Sequence, residues 1–241
     1  MSAGHFQTTR WTLIRSADRG IESVSSRNAL AELCEIYWYP LYAFARRRGA
    51  QSADAQEQVQ EFLSELLSGS LFTKADAEAG RFRSFLLKAF QYFLSNQRRE
   101  ENAQKRGGQR KHVSLEIDSG ETRYQLEPVD DVTAEKLYER QWAMTILEAA
   151  IARLRREYTD SGKSQLFERL LPHLTQDHEA RPYAEIAESL VMQETAVKVA
   201  AYRMRQRYRD CLRSEIAETI HLEDDASIDE ELHWFVSVLS R

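Results

Sequence analysis

Residues 182–207 read PYAEIAESLVMQETAVKVAAYRMRQR. Pro182 suits a first helical turn, where its missing N–H would have no partner anyway. Ile186, Ala187 and Leu190 then recur at helical spacing and share one face. After residues 191–193 a second helix opens at Glu194, and Val197 with Ala200 or Ala201 lets it pack closely on the first. This is the spacing of a helix-turn-helix. The other face of the second helix carries Thr195, Lys198, Tyr202, Arg203 and Arg205, side chains able to reach base edges and phosphates in a major groove. An ordinary helical hairpin with a solvated basic face has the same pattern and remains an alternative.

Working outward, apolar residues recur at helical spacing nearly throughout and strand-like alternation is almost absent, which predicts an all-α fold. Leu30, Leu33, Tyr37, Leu41 and Phe44 form one stripe of a helix ending near Gly49, with Pro40 as a kink. Val59, Phe62, Leu63, Leu66 and Leu67 mark a second helix, and Phe82, Phe85, Leu86, Ala89, Phe90, Phe93 and Leu94 a third. These make a first helical domain over residues 22 to 106. Residues 107 to 133 lose helical periodicity and carry Gly107, Gly108, Gly120 and Pro128, the composition of a flexible interdomain linker. A second helical domain containing the helix-turn-helix spans 134 to 220. An acidic, then amphipathic tail of 221 to 241 offers Leu232, Phe235, Val236 and Leu239 as an apolar face and packs on one of the domains.

With 241 residues, 42% hydrophobic and 29% charged, the chain has room for two small globular domains. Its apolar runs fall short of the roughly 20 residues a spanning helix needs, and the N-terminus lacks a signal-peptide core. No membrane association and a cytoplasmic location are expected. Cys34 and Cys211 lie far apart and outside any CxxC, so neither a disulfide framework nor a zinc site is indicated. No nucleophile elbow, phosphate-binding glycine loop or HExxH is present, and His173 and His178 stand without a paired metal pattern. The expectation is a non-enzyme with no catalytic residue, metal or cofactor.

The net charge of -5 is segregated rather than spread. Arg81, Arg83, Lys88, Arg98, Arg99, Lys105, Arg106, Arg110 and Lys111 form one basic stretch, and Lys198, Arg203, Arg205, Arg207, Arg209 and Arg213 a second, with acidic segments between and after them. Two basic surfaces on an acidic chain suggest two contacts with a polyanion. In the first stretch, aromatics interleave with cations, the combination that single-stranded DNA needs for stacking and backbone neutralisation. The stripe of Leu86, Ala89 and Phe93 reads as core; Tyr92, Asn96 and the loop from Thr73 to Phe82 read as facing DNA.

The order of these parts resembles the extracytoplasmic-function sigma factors of the sigma-70 family over nearly the whole chain. The helix beginning Asp54-Ala-Gln-Glu-Gln-Val-Gln-Glu-Phe62 resembles the family helix that binds the clamp helices of the beta-prime subunit of RNA polymerase. Gly80-Arg-Phe-Arg-Ser-Phe-Leu-Leu-Lys88 through Arg99 resembles the segment that opens and reads the minus-ten element. The helix-turn-helix corresponds to the minus-thirty-five reader. The resemblance implies polymerase contacts at Asp54, Glu57, Gln60 and Glu61, minus-ten contacts at Arg81, Phe82, Tyr92, Asn96, Arg98 and Arg99, and minus-thirty-five contacts at Thr195, Lys198, Tyr202, Arg203 and Arg205.

The partners so implied are core RNA polymerase, through the beta-prime clamp helices and the beta flap, and promoter DNA in double- and single-stranded form. An anti-sigma factor or other regulator is a further partner in this family. Arg81 and Phe82 would end the loop that holds a flipped non-template base. The chain departs from the family where Tyr92 and Asn96 replace the usual Asn and Asp, Val191 the turn glycine, and Gln193 and Thr195 the small residues opening the recognition helix. The rival function is a stand-alone helix-turn-helix transcription regulator, which needs neither the aromatic basic helix nor the segment from Asp54 to Phe62; a helical protein-binding adaptor is a third. Under the sigma reading the acidic tail covers one basic surface until polymerase is bound.

Overall fold

A computed structural model describes residues 24–67, 81–104, 118–127, 132–175, 180–219 and 225–240. The described residues form helices and no strand, in keeping with the expected all-α class. In chain order they are α1 (Val24–Arg47), α2 (Ser52–Leu67), α3 (Phe82–Gln104), α4 (Asp118–Gln125), α5 (Ala134–Asp160), α6 (Ser164–Thr175), α7 (Tyr183–Leu190), α8 (Glu194–Ala217) and α9 (Asp225–Leu239). Two compact units result, one of the described residues up to Thr145 with those from Ala217 onward, the other of Ile146–Ile216.

The first unit is built on aromatic packing. α1 runs through Pro40 and stops where Gly49 turns left-handed at φ 92°. Its Phe44 meets Phe90 of α3 at 6.0 Å between ring centres, and Phe62 of α2 meets the same ring at 5.0 Å. Tyr37, Phe62 and Phe90 are all fully buried. Each such side chain removed from water contributes about 1.5–3 kcal/mol, so the three helices hold together without a sheet. The indole N–H of buried Trp142 donates to the Tyr37 hydroxyl at 3.0 Å, which satisfies the polar atom that burial would otherwise strand.

Two findings depart from the expected domain plan. Residues 134–145, expected to open the second domain, pack in the first unit, because Tyr138 and Trp142 are buried there and the Tyr138 hydroxyl donates to the Arg83 carbonyl at 3.0 Å. Within 107–133, expected as linker, α4 is helical and docked. Glu121 accepts two bonds from the Arg46 guanidinium at 3.0 and 2.8 Å, Arg123 lies 4.0 Å over the Tyr39 ring, and Gly120 is pressed under Trp38. Gly107, Gly108 and Pro128 lie outside the described residues.

α9 joins the first unit through Ile228, Glu231, Phe235 and Val238, all buried. The apolar face expected from Leu232, Phe235, Val236 and Leu239 is therefore rotated, and Val236 is 60% exposed. The physical reason is Glu231, an acid on the buried face whose charge is met by arginines.

In the second unit the core comprises Leu154 of α5, Phe167 and Leu170 of α6, Ile186 and Ala187 of α7, and Val197, Ala201, Met204 and Cys211 of α8. The buried carboxylate of Glu215 is paired with Arg153 at 3.1 Å.

Candidate nucleic-acid interface

α7 ends in a Schellman turn: the Met192 N–H donates to the Ala187 carbonyl at 2.9 Å and the Val191 N–H to Glu188 at 3.3 Å. Val191 supplies the left-handed residue, at φ 53° and ψ 45°, and projects its side chain almost wholly into solvent. The chain then re-enters helix at Glu194. α8 is two-sided. Val197, Ala201, Met204 and Cys211, spaced by four, three and seven residues, are buried, which turns Thr195, Lys198, Tyr202, Arg203 and Arg205 outward; all five are exposed.

These residues differ in how freely they can act. Lys198 is paired with Glu194 one turn earlier at 2.7 Å, an exposed link of small energy. Arg205 donates to the Tyr183 hydroxyl at 2.9 Å, and Tyr183 stacks on His173 at 4.3 Å. His173 in turn is bonded through Nε2 to the Arg181 carbonyl oxygen, 2.8 Å away. Arg207, counted in the basic stretch, makes a bidentate pair with Glu157, both bonds 2.7 Å, so its charge is engaged inside the unit. The bonds from Arg207 hold the Glu157 carboxyl below its ordinary pKa, against the opposing effect of burial.

On the first unit, α3 distributes its expected strand-binding residues unevenly. Tyr92 is 61% exposed, Arg98 and Arg99 are exposed and Asn96 is half-buried. Tyr92, Asn96 and Arg99 follow i, i+4, i+7 spacing and share a face. Phe82, expected beside a flipped base, is instead 3% exposed, with its ring 5.3 Å from Tyr37 in an edge-on contact. Arg81 is partly exposed and ion-paired with Glu231 at 2.7 Å. The rest of the loop that leads to it, and the basic residues 105–111, lie outside the described residues.

On α2, Asp54 and Gln60 are exposed, while Glu57 and Glu61 are half-buried. Asp54, Glu57 and Glu61 share one face by spacing. Glu61 accepts a bond from Gln97 of α3 at 2.9 Å, tying the acidic face to the helix that carries Tyr92.

Glu231 and Trp234 are functional candidates that the sequence did not single out, and Arg83, counted there in the basic stretch, is buried rather than presented to a polyanion. Arg83 is 4% exposed, paired with Glu231, and has its guanidinium carbon 3.5 Å from the centre of the Trp234 ring and 4.9 Å from that of Trp142. Burial presses the Arg83 pKa downward and Arg81 adds repulsion, with Tyr37, Glu139 and Tyr138 opposing them. The available clue was Glu231 itself, an acid amid Ile228, Leu232, Trp234 and Phe235.

Among the described residues no cluster of His, Cys, Asp or Glu could hold a metal ion, and no helix is long and apolar enough to cross a membrane. No family model, no curated protein and no solved structure matches the chain.

Proposed function

We propose that the chain is a bacterial sigma factor of the extracytoplasmic-function type, which binds core RNA polymerase in the cytoplasm and directs promoter recognition, melting and initiation. α7, the turn at Val191 and α8 act as its helix-turn-helix, with α8 as recognition helix for the upstream element. The observation that carries the reading is the two-sidedness of α8, which sets Thr195, Lys198, Tyr202, Arg203 and Arg205 outward while Val197, Ala201 and Met204 are buried. Support for a sigma factor over a stand-alone regulator comes from the other unit, where acidic α2 lies beside aromatic, basic α3. Tyr92, Asn96, Arg98 and Arg99 take the melted strand by stacking and phosphate contact. Asp54, Glu57, Gln60 and Glu61 face the polymerase.

The test is transcription in vitro with purified bacterial core polymerase and a genomic fragment library, comparing the protein with an Asp54→Arg, Gln60→Arg variant. Both positions are exposed, so the fold tolerates the change. Discrete transcripts that need the protein and fade in the variant are the expected result. DNA binding with no core binding and no initiation would replace this reading with the stand-alone helix-turn-helix regulator.

A further inference from the structure

Glu231 and Trp234 stand three residues apart on α9, hence on one face, and both address the start of α3. The Glu231 carboxylate is ion-paired with the guanidinium groups of Arg81 and Arg83, while neither of its buried oxygens accepts a well-directed hydrogen bond. The Trp234 ring lies against the Arg83 guanidinium at 3.5 Å. An anion beside a flat aromatic ring is also what one nucleotide of a single strand presents. Arginines bind phosphate through the same forked donors that grip a carboxylate, and bases stack on guanidinium planes as indole does.

We infer that α9 is an internal nucleotide mimic: Glu231 stands in for a phosphate and Trp234 for a base of single-stranded nucleic acid at the Arg81–Arg83 pair, so that α9 and the strand exclude each other. This rests on the reading of α3 as the strand-binding helix and supplies its regulation. A helix serving only to cap the core would be better served by an apolar residue at 231, since replacing a buried ion pair by well-packed hydrophobic groups is often neutral or stabilising. Glu231 is instead 1% exposed against two arginines, one of which, Arg81, still reaches the surface with 37% of its side chain accessible. Ile228, Phe235 and Val238 hold α9 in place around that contact. Because α9 is tethered, it competes at an effective concentration of about a millimolar, and a free strand displaces it only at high concentration, or when polymerase, in the proposed function, delivers the strand to the site.

The test uses the full chain and a fluorescently labelled single-stranded 15-nucleotide DNA of mixed sequence. Binding is followed by anisotropy for the wild type, Glu231→Gln and Trp234→Ala, with helicity checked by circular dichroism. Both variants are expected to bind about tenfold tighter or more, because each weakens the internal competitor. Amide hydrogen exchange on the wild type at saturating oligonucleotide gives a readout that needs no variant: residues 225–239 are expected to lose protection when the strand binds. Folded variants that bind no tighter, or a wild type that binds the strand with α9 still protected, overturn the inference. Neither readout contains polymerase. Failure to initiate transcription therefore leaves the mimic standing, while polymerase-dependent transcription with α9 protected throughout strand binding removes the mimic and leaves the sigma factor.

Discussion

Val191 occupies a position that glycine fills elsewhere in the same chain. Gly49 after α1 and Gly162 after α5 sit at φ 92° and 70°, and each closes its helix with the same pair of backbone bonds. The left-handed conformation costs an L-residue roughly 1–2 kcal/mol, and a β-branched side chain is least suited to it. Since the Val191 side chain is 96% exposed, little packing is lost on removing it. Val191→Gly is therefore expected to stabilise the second unit by about 1 kcal/mol after the added freedom of the unfolded chain is subtracted, read as a higher denaturant midpoint. The reciprocal Gly162→Val, where an added Cβ meets nothing within 4 Å, should lose about 1–2 kcal/mol from backbone strain alone. The turn was legible in the sequence despite its missing glycine, because Ile186 and Ala187 before it and Val197 after it fix both helix faces. Arg83 was not. A cation in an apolar run reads as solvated until its partner, far along the chain, is known.

At the scale of elements, α4 shows why the stretch 107–133 read as linker. DSGETRYQ has no apolar stripe, and eight residues cannot sustain a helix in water; what holds it is tertiary. Gly120 is one hold, since a Cβ there would lie 2.7 Å from the Trp38 ring, itself stacked on Tyr42. Gly120→Ala gains up to about 1 kcal/mol of helix propensity but meets an overpacking cost of about 1–3 kcal/mol, so the first unit should be destabilised on balance, with a change in tryptophan fluorescence as α4 lifts. Glu121 is the second hold. The Tyr42 hydroxyl and then the Arg46 guanidinium keep its carboxyl below the ordinary range. A depressed folded pKa means the stabilisation is fully present above the unfolded value of roughly 4.3 and is lost as pH falls through the folded value. Denaturant melts from pH 7 to pH 3 should therefore show a stability loss below about pH 4.5 that is shallower in Glu121→Gln. α9 was half legible: its existence followed from apolar periodicity, its phase did not, because the residue that sets the phase is an acid.

Across the whole molecule, charge is the property that composition hides and position reveals. Under the proposed function, a protein of net charge -5 gains nothing from long-range attraction to DNA, so its affinity would rest on local phosphate contacts, each of which releases counterions. The basic run at the end of α8 overstates how many such contacts the helix can offer. Arg203 is exposed on the outward face, whereas Arg207 spends its guanidinium on Glu157. The two positions should separate cleanly in one experiment on an upstream promoter duplex. Arg203→Ala should weaken binding and reduce the slope of log affinity against log salt by about 0.9, the loss of one phosphate contact. Arg207→Ala should leave that slope unchanged and instead lower the unfolding midpoint of the second unit, by no more than about 1 kcal/mol because the pair is half exposed to solvent. Equal salt slopes for the wild type and Arg203→Ala would detach the outward face of α8 from the DNA backbone. The two-sidedness of that helix would then be the solvated face of a hairpin, the reading that the sequence alone left open.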